Sequence, residues 1–143
     1  MLKAAEVLGM AAILEGYHVK KSEVHGMAQR GGSVESHLRF GKEVFSPLIP
    51  EGQVDFLVAF HPDEARRLKK FLAKGGRDLT AYLEKGTHIP QGTRYLNTYL
   101  LGVLSAFLPI KQNTWLAAIE HAFANKNLEQ NREVFLQARK EVI

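Results

Sequence analysis

The densest chemistry in this sequence lies in residues 22–34, Ser-Glu-Val-His-Gly-Met-Ala-Gln-Arg-Gly-Gly-Ser-Val. One cation, Arg30, stands directly before the pair Gly31-Gly32. Glycines at such a point permit positive φ, where a side chain would clash. Consecutive backbone N–H groups in such a turn can converge on an anion. The planar fork of Arg30 suits a phosphate or a carboxylate. Met27 offers a flexible apolar contact, and His25, Gly26 and Gln29 complete the stretch. These residue types describe an anion-binding loop. The plainer alternative is a surface loop whose glycines only turn the chain.

Other constellations are weaker. His25 stands near Ser22, Glu23 and Ser33, but no orienting acid is indicated for a nucleophile. The six histidines are His18, His25, His37, His61, His88 and His121. None has the helical i, i+4 spacing with a third partner that a metal site needs. His25 and His37 bracket the loop, and a hydrogen bond bracing it is the expectation there. No GxxxxGK[ST] phosphate loop and no complete GxGxxG occurs. The sequence has no cysteine, which excludes disulfides, thiolate nucleophiles and cysteine-ligated iron–sulfur clusters in this chain.

The elements that must position the loop come next. His18 to Val24 reads as a strand. Val34, Ser36, Leu38 and Phe40 alternate with Glu35, His37 and Arg39, a period of two that predicts a strand with one buried face. Gly41-Lys42 reads as a turn, with Val44-Phe45 pairing back as the second arm of a hairpin. Upstream, residues 4–15 read as a helix with Ala4, Leu8, Ala11 or Ala12, and Ile13 on one face, stopped by Gly16. Val54 to Phe60 is nearly continuously apolar, the mark of a strand covered on both faces. Pro62 opens a helix with Asp63 and Glu64 in its first turn. Ala65, Leu68 and Leu72 form its inward stripe, and Gly75-Gly76 ends it. Arg66, Arg67, Lys69, Lys70 and Lys74 make its outer face basic, a solvated face or a dock for an acidic partner. From Thr93 on, Leu96, Tyr99, Leu100, Val103, Leu104, Phe107 and Leu108 recur at helical steps. Thr114 is placed to cap a helix carrying Leu116, Ile119 and Phe123. Asn127 and Gln130 read as a capping box for the last helix, with Val134, Phe135, Ala138 and Val142 inward.

The loop run Ser22–Val34 resembles the signature of the small subunit of 2-oxoacid:ferredoxin oxidoreductases, most nearly the indolepyruvate branch. Ser46-Pro47-Leu48-Ile49-Pro50-Glu51-Gly52 is similar to the family's next block, and Val54–Phe60 with Pro62 and Glu64-Ala65 to the strand–helix unit after it. Leu100-Leu101-Gly102, Phe107-Leu108-Pro109 and Thr114-Trp115-Leu116 resemble its closing helical part. The resemblance is specific over residues 17–65 and loose over 77–93, where a further strand would be expected. It implies an α/β, Rossmann-like three-layer domain with a mixed sheet including a β-hairpin, a helical C-terminal part, and residues 1–143 as one gamma-type domain. The family opens with a strand and a Gly-Gly-Gln-Gly turn. Here Met1-Leu2-Lys3 runs straight into the helix, and the expectation is that the strand and turn lie ahead of it.

By the same resemblance the subunit binds no thiamine, and the Gly-Asp-Gly thiamine motif is missing. Thiamine diphosphate, iron–sulfur clusters and coenzyme A belong to the assembled complex. The implied partner is a large thiamine and iron–sulfur subunit, with ferredoxin reached through the complex. His25, Gly26, Met27, Gln29, Arg30, Gly31 and Gly32 become a loop facing that partner or an anion. The implied reaction is oxidative decarboxylation of a 2-oxoacid, such as an arylpyruvate, to acyl-CoA with reduction of ferredoxin. The alternative from another class is a stand-alone anion- or nucleotide-binding Rossmann-like module. A further rival is a small enzyme using His25 and Glu23.

Composition agrees with a soluble globular chain, at 45% hydrophobic and 24% charged residues. A length of 143 residues is enough to bury a core in one domain. The net charge of +4 permits an acidic partner without requiring nucleic acid. Tyr99 to Ile110, about 12 residues, is too short for a membrane span. Glu6 and Glu15 interrupt the opening apolar run, so no signal peptide is read. A cytoplasmic protein is the expectation.

Overall fold

The computed structural model describes residues 2–25 and 34–143. Helix α1 spans Leu2–Leu14, and Gly16 ends it with φ of 101°. Strand β1, His18–His25, and strand β2, Val34–Gly41, pair antiparallel with His18 opposite Gly41 and His25 opposite Val34. The hairpin is therefore closed across residues 26–33, which lie outside the described residues. It is not closed by the Gly41-Lys42 turn. Residues 44 and 45 form no second arm: Val44 is buried, while Phe45 is 84% exposed. Pro47 and Pro50 follow closely, and neither can donate to a ladder.

Strand β3, Val54–Leu57, runs parallel to β4, Leu72–Asp78, with helix α2, Pro62–Leu68, as the crossover. The sequence reading extends that helix to Gly75-Gly76 and places Leu72 on its inward stripe. In the structure it gives way at Lys69–Phe71 to a 3₁₀ turn, and Leu72 enters β4. Ala73, Lys74, Gly75 and Gly76 bulge out between the Val54–Leu72 and Phe56–Arg77 pairs. A Cβ on Gly76 would stand 2.8 Å from the Val54 carbonyl oxygen, so only glycine lets the two backbones approach. The continuous apolar run yields a strand of four residues, because Val58 to Phe60 leave the ladder.

The rest is helical: α3, Leu83–Thr87, α4, Leu96–Ser105, α5, Gln112–Ala122, and α6, Leu128–Val142. The α/β class holds, with an antiparallel pair, a parallel pair and six α-helices among the described residues.

The core sits in the helical part. Val7, Ala11 and Ala12 of α1 meet Tyr99, Leu100 and Val103 of α4, Trp115 and Ile119 of α5, and Val134, Phe135 and Ala138 of α6. On α1 the buried set is Val7, Ala11 and Ala12, and Ile13 is 56% exposed. Ile13 therefore falls outside the face predicted for it. Gly102 lets α4 and α6 touch, since a Cβ there would lie 2.5 Å from the Phe135 carbonyl oxygen. Two expected caps take another form. Thr114 lies inside α5, whose first residue is Gln112. Asn127 precedes α6 in a left-handed conformation with no side-chain cap, and its carbonyl oxygen accepts from the Asn131 side chain at 2.9 Å.

Candidate functional site: the hairpin and its cleft

Residues 26–33 join β1 to β2 in the chain. Gly26, Met27, Gln29, Arg30, Gly31 and Gly32 lie outside the described residues. His25 closes β1 as the backbone partner of Val34.

Just past that root stands Glu35. Its carboxylate, 14% exposed, accepts from His37 Nε2 at 2.9 Å and from Arg67 Nη1 at 3.1 Å. Arg67 reaches across from α2 and also donates to Glu64 Oε1, at 2.5 Å through Nη2. His37 is buried, and its Nδ1 accepts from the Ile49 backbone N–H at 3.0 Å. That bond assigns the proton to Nε2, which donates to Glu35. The Phe71 ring meets the His37 ring edge-on at 5.6 Å. Burial pushes the Glu35 carboxyl up. The bonds from His37 and Arg67 outweigh it and hold the group below its ordinary value of 4.5. Glu35, His37 and Arg67 tie the root of the hairpin to α2 and to the Ile49 backbone.

His37 thus turns away from the solvent face that alternation predicts, while Ser36 is exposed. Its bracing role concerns Glu35 and Ile49. Spacing gives no sign of the cluster, because Glu35 and Arg67 are 32 positions apart. Glu35, His37 and Arg39 alternate along β2 as any solvent-facing set would, so the strand pattern does not single the cluster out either.

Beside the hairpin lies a cleft of about 740 Å³. Ala4 and Leu8 of α1 form one wall, and Leu101, Leu104 and Phe107 at the end of α4 form another. Residues 35–40 and 53–60 line it without a break. Successive side chains of a strand point to opposite faces, so an unbroken lining means that the edges of β2 and β3 both face the cleft. Among the described residues neither edge has a second strand. Phe45 stands at the mouth.

Of the five cations predicted for the basic helix face, Arg66, Arg67 and Lys70 are engaged. Arg66 pairs with Asp63, Arg67 with Glu64 and Glu35, and Lys70 with Glu51 at 3.5 Å. Among the described residues no three His, Cys, Asp or Glu side chains are grouped to hold a metal. No described helix is long and apolar enough to cross a membrane.

Comparison with known proteins identifies the lineage. Indolepyruvate oxidoreductase subunit IorB of Thermococcus kodakarensis is 49% identical over 76 residues, 53% of this chain and 38% of the relative. The subunit of that name from Archaeoglobus fulgidus is 51% identical over 73 residues, 51% of this chain and 36% of the relative. The matched stretch thus spans well under half the length of these curated relatives. The crystal structure of the keto/oxoacid ferredoxin oxidoreductase gamma subunit from Geobacter sulfurreducens superposes with a TM-score of 0.77. It covers 99% of this chain and 89% of that one at 17% identity, which shows a shared fold. Residues 1–90 match the family described as pyruvate ferredoxin/flavodoxin oxidoreductase, and the chain belongs to that family.

Proposed function

We propose that the chain is the small, non-thiamine-binding subunit of a 2-oxoacid:ferredoxin oxidoreductase. The complex oxidatively decarboxylates a 2-oxoacid, with arylpyruvates such as indolepyruvate first among them. It transfers the acyl group to coenzyme A and passes electrons to ferredoxin in the cytoplasm. The observation that carries this reading is the 49% identity to subunits named for indolepyruvate oxidoreductase. The sequence contains no cysteine, so thiolate ligands for iron–sulfur clusters must come from a partner. That partner is the large subunit bearing thiamine diphosphate and the clusters. A lasting interface with it buries on the order of 1,600 Å² or more.

Arg30 and the Gly31-Gly32 backbone face that subunit and hold an anion, either a partner carboxylate or a coenzyme A phosphate. Support comes from the hairpin, whose root is tied down by Glu35, His37 and Arg67. Co-expression with the large subunit is expected to give a complex stable to gel filtration and active on arylpyruvates, with the lone chain colourless and inactive. Soluble subunits that elute separately at micromolar concentration overturn the reading. In the complex, Arg30→Ala removes charge-assisted bonds of about 1.5–3 kcal/mol each, and Arg30→Lys recovers little. Melting of the lone subunit stays unchanged if Arg30 is a contact residue.

Residues 1–143 form one gamma-type domain in this proposal.

A further inference from the structure

We infer that a second pocket, on the far side of Ala4 and Leu101 from the cleft, binds a small anion of the phosphate class. It holds about 250 Å³ between the start of α1, the turn before α4 and the turn joining α5 to α6. Each of those three segments contributes one cation to its wall, Lys3, Arg94 and Lys126, and among the described residues no carboxylate lines it. The three lie 91 and 32 positions apart in sequence, so the fold, and no local charge run, brings them together.

Arg94 and Lys126 keep their charge available, and Lys3 spends one of its three donors on the Ala122 carbonyl oxygen at 3.4 Å. Arg94 lies over the Tyr95 ring at 5.4 Å and Lys3 over the Phe123 ring at 5.6 Å. A ring fixes a cation's position without neutralising it. Lys3 has one carboxylate nearby, Glu6 at 3.7 Å, and both are half exposed, a pair that contributes little. Arg94 and Lys126 make no ion pair among the described residues. Glu129, in the first turn of α6, is turned to Arg132 at 3.1 Å.

The floor is built of fixed polar groups. The Thr98 hydroxyl donates to Asn131 Oδ1 at 2.6 Å, and Asn131 Nδ2 donates to the Asn127 carbonyl oxygen at 2.9 Å. Thr98 and Asn131 are both buried. One sign of charge around a concave pocket focuses the field on its centre. The volume sets the ligand class: it takes a phosphate or a small phosphorylated group, and lies below the ~300 Å³ at which drug-sized ligands begin to fit. This inference is independent of the oxidoreductase reading, because its test reads binding to this chain alone.

The test is titration of the ¹⁵N-labelled protein with inorganic phosphate, ionic strength held constant with chloride. Saturable shifts are expected at the amides of residues 94–98 and 126–131, with a Kd on the order of 1 mM. The double variant Arg94→Gln/Lys126→Ala is expected to bind about tenfold more weakly, each exposed pair contributing up to about fivefold. If Arg94→Gln disturbs Tyr95, seen as shifts in the core, Lys126→Ala alone carries the test with about a threefold loss. Shifts that fail to saturate, fall elsewhere, or survive the variants unchanged overturn the proposal.

Discussion

The two halves of this molecule are packed differently. The main buried cluster draws on residues 7–12 and then on nothing until Leu79. Between them, Tyr17, Val19, Phe40, Phe56, Val58 and Phe60 only lean against it, half-buried. The helical half closes on itself through Trp115, Tyr99 and Phe135, all fully buried. The hairpin half keeps two strand edges and a cleft open, and exposes Phe45 and Leu48. One half therefore carries stability, and the other is left incomplete in the way a contact surface is.

The largest expected effect breaks the helical half. Trp115→Ala removes a fully buried indole packed on Phe135 at 5.6 Å between ring centres, and a cost of about 3–5 kcal/mol is expected in chemical denaturation. Trp115→Phe should cost far less. Among the described residues the indole Nε1 has no hydrogen-bond partner, so losing it relieves an unsatisfied donor. Next is Gly102→Ala, whose added methyl meets the Phe135 backbone and Ala138 Cβ at 2.5 and 2.8 Å. Overpacking of this kind costs about 1–3 kcal/mol. If either variant left the melting temperature unchanged, the helical half would not be the source of stability.

The same division explains what could be read from residues alone. The helical half was legible because apolar side chains at three- and four-residue steps report one buried face, and Tyr99, Leu100, Val103, Val134, Phe135 and Ala138 all lie where that period places them. In the hairpin half, pairing is a long-range choice. Val44-Phe45 has good strand character, yet β2 pairs instead with β1 across the loop. Strand β4 hides because Lys74, Gly75 and Gly76 have low strand propensity, and its neighbour β3 accepts them as a bulge. The loop motif was visible as chemistry. Its support by Glu35, His37 and Arg67 was not, since three-dimensional approach leaves no local spacing.

Acid should loosen the hairpin half. Glu35 is held below its ordinary value of 4.5 by His37 and Arg67, against the opposing push of burial. A depressed carboxyl contributes stability above the unfolded value, and that contribution is lost as pH falls through the folded one. Glu141 behaves alike in the helical half, with Tyr99 and Lys85 outweighing burial, but there the buried cluster remains. Amide exchange below pH 4.5 is therefore expected to accelerate first at Glu35–Arg39 and Ile49. Arg67→Ala should bring the same loosening to neutral pH, at about 1 kcal/mol. Uniform acceleration across both halves would erase the distinction.

The smallest effect on stability makes the sharpest comparison. Phe45 is 84% exposed at the cleft mouth, and Ile13 is 56% exposed at the end of α1. Neither makes enough contact to matter to folding, so Phe45→Ser and Ile13→Ser should each change stability by under about 0.5 kcal/mol. Their effects on assembly should differ. An exposed aromatic beside unpaired strand edges is the kind of anchor that interfaces bury, and truncating such a residue costs about 2 kcal/mol or more. If the proposed large subunit is the partner, Phe45→Ser is expected to weaken its binding by about thirtyfold, since each 1.4 kcal/mol is a factor of ten. Ile13→Ser, on the half that is already closed, should leave binding unchanged. Affinity measured by titrating each variant into the large subunit decides it. Equal losses would mean that exposed apolar side chains act alike wherever they sit, and a loss for Ile13→Ser alone would move the contact surface to the end of α1.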